Sequence, residues 1–375
     1  MKILVLGNGF DLDHDLPTSY IQFLRFCNCV LDIENEELDD YKKLTDKQLN
    51  YINQLKKNKE AKELFISYIK NNRFLTYFNN RIDKLGINWI DFEREIKGIV
   101  GEFRGIENEL AHQNNCSYFA DVNHKIHQVI KELGLQNMDR DQWGEIELAV
   151  IHKDLSYAFS KFSLALEYYI STFINNTPVI GVAPDIIDFD ADKVLTFNYS
   201  EVYENVYGGG KRKEDIEHIH GTAFADSKNG ARIILGITSV ENNNSNCYVE
   251  FEKYFQRITK KTGSEYKKWL SAVSEKEEVE VAFFGHSLDS SDSDIIKDFI
   301  FDQKVNITIY YYNETAYETI VANLVEIIGK EKLIQFVSGV FPRIRFVRQA
   351  EHQNDNTSGI EITNDIRDIY RLYLL

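Results

Sequence analysis

Few residues in this chain break helices or cross-link folds. Its 375 residues include four prolines and four cysteines. The prolines are Pro17, Pro178, Pro184 and Pro342, so none interrupts residues 18–177. Proline removes a backbone donor and clashes with the preceding helical turn. Its absence leaves that long stretch free to be helical. The cysteines, Cys27, Cys29, Cys116 and Cys247, include no C-x-x-C pair. That excludes the usual zinc and thiol-redox spacings and fits a reducing cytoplasm, with cysteine as a small apolar filler. No uncharged apolar run approaches the roughly 18 residues of a membrane span. The opening run Ile3 to Leu6 is too short for a signal peptide, and Asp11 and Asp13 follow it.

Basic charge is also short. Lys plus Arg number 43 against 59 Asp plus Glu, a formal net charge of −16. That balance speaks against coating DNA or RNA and against binding an anionic membrane. Neither nucleic acid nor membrane is an expected partner. A mononucleotide stays open, because backbone amides at a helix start hold phosphate without basic side chains. The apolar fraction, 43%, is too high for a disordered chain. At roughly 150 residues per domain, the length fits two units or one domain with a large insertion. The expectation is a soluble cytoplasmic protein.

Within the proline-free stretch, Phe92, Ile96, Ile99, Phe103, Ile106 and Leu110 step by four and three, which puts them on one helical face. Leu155, Phe159, Phe162, Leu166, Tyr169 and Phe173 do the same. Residues 32–70 carry more charge and read as a solvated helical hairpin. From residue 178 the texture changes to short β-rich runs: 194–197, 218–220, 233–235, 279–284 and 305–312. The last two are almost continuously apolar or aromatic, as in strands covered on both faces. Helices are expected at 295–301 and 315–328. Strand–helix–strand alternation predicts a mostly parallel, Rossmann-like α/β sheet with right-handed crossovers. The simplest architecture joins residues 1–17 to 178–350 in one α/β domain. Residues 18–177 are then an all-helical insertion, and 351–375 a tail or helix.

Four segments carry candidate chemistry. Gly7-Asn8-Gly9-Phe10-Asp11-Leu12 follows the first strand, where Gly-x-Gly permits a tight turn and close approach to phosphate. The full dinucleotide fingerprint would need glycine at position 12, so a turn required only for geometry is the alternative. Asn198, in Thr196-Phe197-Asn198-Tyr199-Ser200, ends a strand and points toward the substrate crevice, or else begins an Asx turn. In Glu217-His218-Ile219-His220-Gly221, two histidines share a strand face. His220 suits a general base near neutral pH; a structural hydrogen bond suits His218 better, and a third metal ligand is lacking. Gly285-His286-Ser287-Leu288-Asp289, with Asp292 beyond, places hydroxyl groups where a ribose or phosphate could bind. It lacks the last glycine of the hydrolase elbow, which excludes a serine hydrolase. Gly208-Gly209-Gly210-Lys211-Arg212-Lys213 lacks the spacing of a phosphate-binding P-loop and reads as a solvated loop. His124 and His127 read as exposed helical histidines.

The opening Gly-Asn-Gly-Phe-Asp-Leu, with His14, Leu16-Pro17-Thr18 and Tyr20, resembles the signature of the bacteriophage abortive-infection AbiH family. Trp89, Asp91, Phe92 and Glu93 follow in the family's order, then the Phe-Asn-Tyr, Ile-His-Gly and Gly-His-Ser-Leu-Asp segments. The resemblance runs from residue 1 to about 330. More distantly, the Gly-x-Gly loop, strand-end Asn, His-Gly step and late Gly-x-Ser resemble sirtuin-like NAD-binding domains. That similarity implies Gly7 and Gly9 at the NAD phosphates and Asn198 at the nicotinamide ribose or a water. It implies His220 as base and Ser287 at the adenosine ribose, with Asn8, Phe10, Asp11 and Gly285 in the same binding loops. No zinc-ribbon cysteines are present, so protein deacetylation is not implied. The expected function is antiphage defence with hydrolysis of NAD or a related nucleotide, without metal. The alternative is a non-catalytic nucleotide- or phage-sensing switch; a phage-encoded trigger and a homo-oligomer fit either. Gly7, Asn8, Gly9, Asn198, His220 and Ser287 are expected to converge in one cleft.

Overall fold

The computed structural model describes residues 1–35, 43–85, 92–111, 129, 131–134, 145–224, 230–238, 248–274 and 277–351. Along the chain, β1 (Lys2–Leu6) leads into α1 (Asn8–Asp13). Helices α2 (Tyr20–Asn35), α3 (Asp46–Lys57), α4 (Lys59–Ile69), α5 (Arg73–Leu85), α6 (Phe92–Ala111) and α7 (Glu145–Tyr169) follow. A π-helical turn (Ile170–Ile174) and α8 (Pro184–Phe189) precede β2 (Lys193–Thr196), α9 (Val202–Tyr207) and β3 (Ile216–His218). Next are α10 (Lys253–Lys260), α11 (Glu265–Ala272), β4 (Val279–Phe284), α12 (Ser293–Phe301) and β5 (Val305–Tyr311). The described chain ends with α13 (Glu314–Ile328), α14 (Lys330–Val337) and β6 (Ile344–Arg348).

All six strands are parallel, in the order β3-β2-β1-β4-β5-β6. This is a doubly wound, Rossmann-like α/β sheet, and the order reverses between β1 and β4. β1 lies between β2 and β4, with Val5 opposite Leu195 and Phe283. Two adjacent parallel strands need a covering helix layer, and alternation assigns the faces. Ile3, Val5, Leu195, Val281, Phe283, Ile307 and Ile309 bury one face against Tyr266, Ile296, Phe299 and Leu324 of α11 to α13. Phe284, on the opposite face, packs against Phe10 of α1, which in turn meets Tyr203 and Tyr207 of α9.

The described residues within 1–19, 170–223 and 262–351 form one compact unit; those within 20–169 and 224–261 form the other. The sheet belongs entirely to the first. Residues 351–375 were expected to be a tail or helix, and 352–375 lie outside the described residues.

Among the described residues, the second unit has helices and a single isolated bridge, Ile237 to Glu252. Phe92, Ile96, Ile99 and Phe103 are buried along α6, and Leu155, Phe159, Phe162, Leu166 and Tyr169 along α7. Phe92 stacks on Tyr20 and Phe78 at 4.0 and 4.3 Å. The supposed solvated hairpin is more than that: Tyr51, Ile52, Leu55, Phe65, Ile66 and Ile69 are buried. Cys27 and Cys29 are buried free thiols; Cys116, Cys247, His124, His127, Trp89 and Asp91 lie outside the described residues.

Residues 233–235 are not a strand. The Leu235 carbonyl accepts from Gln256 Nε2 at 2.6 Å and that of Ile233 from Lys260 Nζ at 2.5 Å. Side chains from α10 therefore take the place of a ladder partner. β3 also ends at His218, two residues before the expected His220. Among the described residues, no helix is long and apolar enough to cross a membrane.

Candidate functional site

Ligands of open parallel sheets bind beyond the carboxyl ends of the strands, near the reversal of strand order. That directs attention to the turns after β1 and β4, which interlock. Gly7 N donates to Phe284 O at 3.1 Å, and Gly9 N to Gly285 O at 2.8 Å. A Cβ on Gly9 would fall 2.7 Å from Gly285 Cα, and one on Gly285 2.2 Å from Phe10 N. Gly285 also has φ of +64°. These glycines are required because two backbones touch. The Gly7 and Gly9 amides, expected at NAD phosphates, donate within the protein instead. Asn8 and Ser287 are the exposed residues of the two turns. Phe10, expected at the ligand, is a core residue with its ring 4.5 Å from that of His14.

The sheet face bearing α1 and α9 carries a buried polar network. Asn198 Nδ2 donates to Gly7 O at 3.0 Å and to Asp11 Oδ1 at 3.2 Å. Ser200 Oγ donates to Asp11 Oδ2 at 2.6 Å. Burial pushes the Asp11 carboxyl up to about 7, against the lowering effect of the Ser200 and Asn198 hydrogen bonds. His218 presents Nδ1 to Asn198 O at 2.9 Å and Nε2 to Glu204 Oε1 at 2.6 Å. Both partners offer oxygen acceptors, an arrangement that favours the doubly protonated ring. Burial opposes that charge, yet Glu204 and the Asn198 carbonyl outweigh it and raise the His218 pKa. His14 donates from Nδ1 to Phe10 O at 2.7 Å and accepts at Nε2 from Tyr207 Oη at 2.8 Å. Tyr207 Oη in turn accepts from Ala183 N at 2.7 Å.

A second cluster lies on the other face. His220 Nε2 is 3.2 Å from Asp292 Oδ1, with both side chains buried. The Phe197 ring meets His220 edge-on at 5.3 Å and His286 at 4.3 Å. Leu288 N donates to His286 Nδ1 at 2.9 Å, so the neutral His286 ring carries its proton on Nε2. Leu288 is fully buried at φ of +53°, a strained backbone for a branched residue.

Gly7, Gly9, Gly285, Asp11 and Asn198 thus meet directly. His220 does not join them. Phe197 and Asn198 are consecutive, and their side chains point to opposite faces; His220 packs with the first. Ser287 reaches the group only through its turn, its carbonyl accepting from Asn323 Nδ2 at 2.9 Å. Sequence reasoning did not find the His220–Asp292 or His218–Glu204 pairs, because no local spacing marks partners brought together by different strand ends. In the Gly208–Gly210 loop, Lys211 donates to Ala191 O and Arg212 pairs with Asp215.

Among the described residues, no three His, Cys, Asp or Glu side chains gather as a metal-ligand set. A cavity of about 600 Å³ between residues 174–182 and α9 contains none of these polar clusters. No curated protein and no solved structure matches the chain. The family model described as bacteriophage abortive infection AbiH matches residues 3–312, and over that span, which takes in every strand but β6, this chain belongs to the AbiH family of abortive-infection antiphage defence.

Proposed function

We propose that this defence protein cleaves the N-glycosidic bond of NAD or a related nucleotide at the carboxyl edge of its sheet. The observation that carries this reading is the buried His220–Asp292 pair beside the β1/β4 reversal. Glycosidic cleavage passes through an oxocarbenium-like centre at the ribose C1′. In the proposed reaction a water forms the new C1′–O bond as the C1′–N bond breaks. Nicotinamide leaves with the electron pair of the broken bond, and the water proton passes to His220 and then to solvent. Asn198 has Nδ2 committed to Gly7 O and Asp11. It lies on the face opposite His220, so the ribose or water contact that the resemblance implied for Asn198 is not a part of the proposed reaction. Asn8 and Ser287 are the exposed polar residues for the nucleotide, with Gly7, Gly9 and Gly285 shaping the turns that present them. The distant sirtuin-like resemblance supports the same substrate class.

The rival reading is a nucleotide-sensing switch without turnover. In either reading the nucleotide is held by side chains, because the Gly7 and Gly9 amides are spent inside the fold. Incubation of the purified chain with NAD separates the two. Catalysis releases nicotinamide, and His220→Ala lowers the rate about 10²–10⁴-fold, the usual worth of general acid–base catalysis. A switch raises the melting temperature by binding alone, without release.

A further inference from the structure

Asp292 occupies the N-cap of α12, where aspartate ordinarily accepts a hydrogen bond from an amide of the first turn. Its side chain makes no cap bond. Three residues earlier Asp289 does cap, accepting from Ser291 N at 2.8 Å at the start of the short turn Ser290–Asp292. The chain therefore has a capping aspartate nearby and turns the second one to His220. Forgoing a cap costs helix stability, and the buried left-handed Leu288 adds strain to the same loop. The start of a nine-residue helix also favours negative charge on Asp292.

We propose that Asp292 is the positioning residue for His220. It accepts the Nε2 proton and so fixes the tautomer, making Nδ1 the basic nitrogen. It also stabilises the imidazolium that forms when His220 takes the proton of the attacking water. This rests on the reading of His220 as the base of NAD cleavage. The other titratable rings around it are Tyr199, 6.4 Å away, and His286, which shares the Phe197 ring.

The test compares wild type with Asp292→Ala and the milder Asp292→Asn. In ¹⁵N spectra of histidine-labelled protein, wild-type His220 is expected as the Nε2–H tautomer. Without the carboxylate its protonation midpoint moves to lower pH, because a neighbouring negative charge no longer favours the imidazolium. In NAD turnover, the acidic limb of kcat/KM moves the same way. The kcat falls roughly 10–10³-fold while KM changes little, as for loss of an interaction made in the transition state. An unchanged midpoint, or the Nδ1–H tautomer in wild type, overturns the pairing. An unshifted pH profile, or a rate loss that merely follows melting temperature, overturns the positioning role. Absence of nicotinamide release from wild type overturns the reaction assigned above, and the spectra still decide the pairing by themselves.

Discussion

On one face of the sheet's carboxyl edge, Asp11, Asn198, Ser200, His218 and Glu204 hold one another and the backbone of the β1 turn. On the other, His220 faces Asp292 across 3.2 Å, and Asp292 leaves its helix uncapped. Both clusters are buried and both contain a histidine and a carboxylate. They differ in what the hydrogen bonds accomplish. Asn198 ties β2 to Gly7 O, and His218 ties β3 to Asn198 O. These bonds join adjacent strand ends and set the loops. A buried polar group that satisfies backbone is explained by folding; one that gives up a backbone bond is explained better by chemistry.

The largest effect should come from Gly285, the contact beneath both clusters. In Gly285→Ala the new Cβ meets the Gly9 and Phe10 backbones, and φ is positive. We expect loss of folded protein or destabilisation at the upper end for single substitutions, several kcal/mol by thermal or urea melting. Gly209→Ala has nothing within 4 Å and should stay within about 0.5 kcal/mol. Equal effects would show that the turns are not locked.

Next comes the contrast between faces. Asn198→Ala removes the donor to Gly7 O and Asp11 Oδ1 and should cost about 1–3 kcal/mol in stability. Asp292→Asn should cost clearly less, because no helix cap is lost. If Asp292→Asn is the more destabilising in urea melts, the division between a structural and a chemical face fails.

A third effect is on the pH dependence of stability. Asp11 is raised from 3.8 to about 7 by burial. Between those values the folded chain holds a proton that the unfolded chain has released, so this contribution declines as pH rises from about 4 to 7. His218 is raised above 6.5. Its contribution is complete below 6.5 and is lost as pH rises through the folded value. Both act in one direction: the melting temperature should fall from pH 5 to pH 8. Asp11→Asn should flatten the part below pH 7, and an unchanged slope there would remove Asp11 from the account.

The smallest effect is at Ser287. It is exposed, so Ser287→Ala should leave stability within about 0.5 kcal/mol. Only the thermal shift produced by NAD should change. A stability loss comparable to Asn198→Ala would make Ser287 part of the fold.

Much of the fold was legible because its signals are local. The apolar runs at 3–6, 279–284 and 305–312 are strands β1, β4 and β5, and the stripes from Phe92 and Leu155 are buried helix faces. Ile233–Leu235 looked like a strand because it is apolar and short. Its burial is real, but long-range side chains from α10 take its carbonyls. β6 and α14 were not anticipated. β6 is an edge strand with Arg345, Val347 and Arg348 exposed, which blurs its pattern.

The candidate site was legible by position and not by role. Gly7, Gly9, Asn198, His220 and Gly285 stand out as residues just past strands, and the sheet does place them along its carboxyl edge. The sequence by itself determined the parallel α/β class and the helical stretch, which depend on periodicity within a few dozen residues, and the AbiH motifs, which are short segments read in their order along the chain. Only the tertiary structure decided what the glycines are for and which face each polar group serves. Gly9 and Gly285 are 276 positions apart and become neighbours because β1 is flanked by β4. His220 and Asp292 meet because β3 ends and α12 begins at the same edge of one sheet. Strand order is set by summed packing across the whole sheet, and no short segment carries that sum.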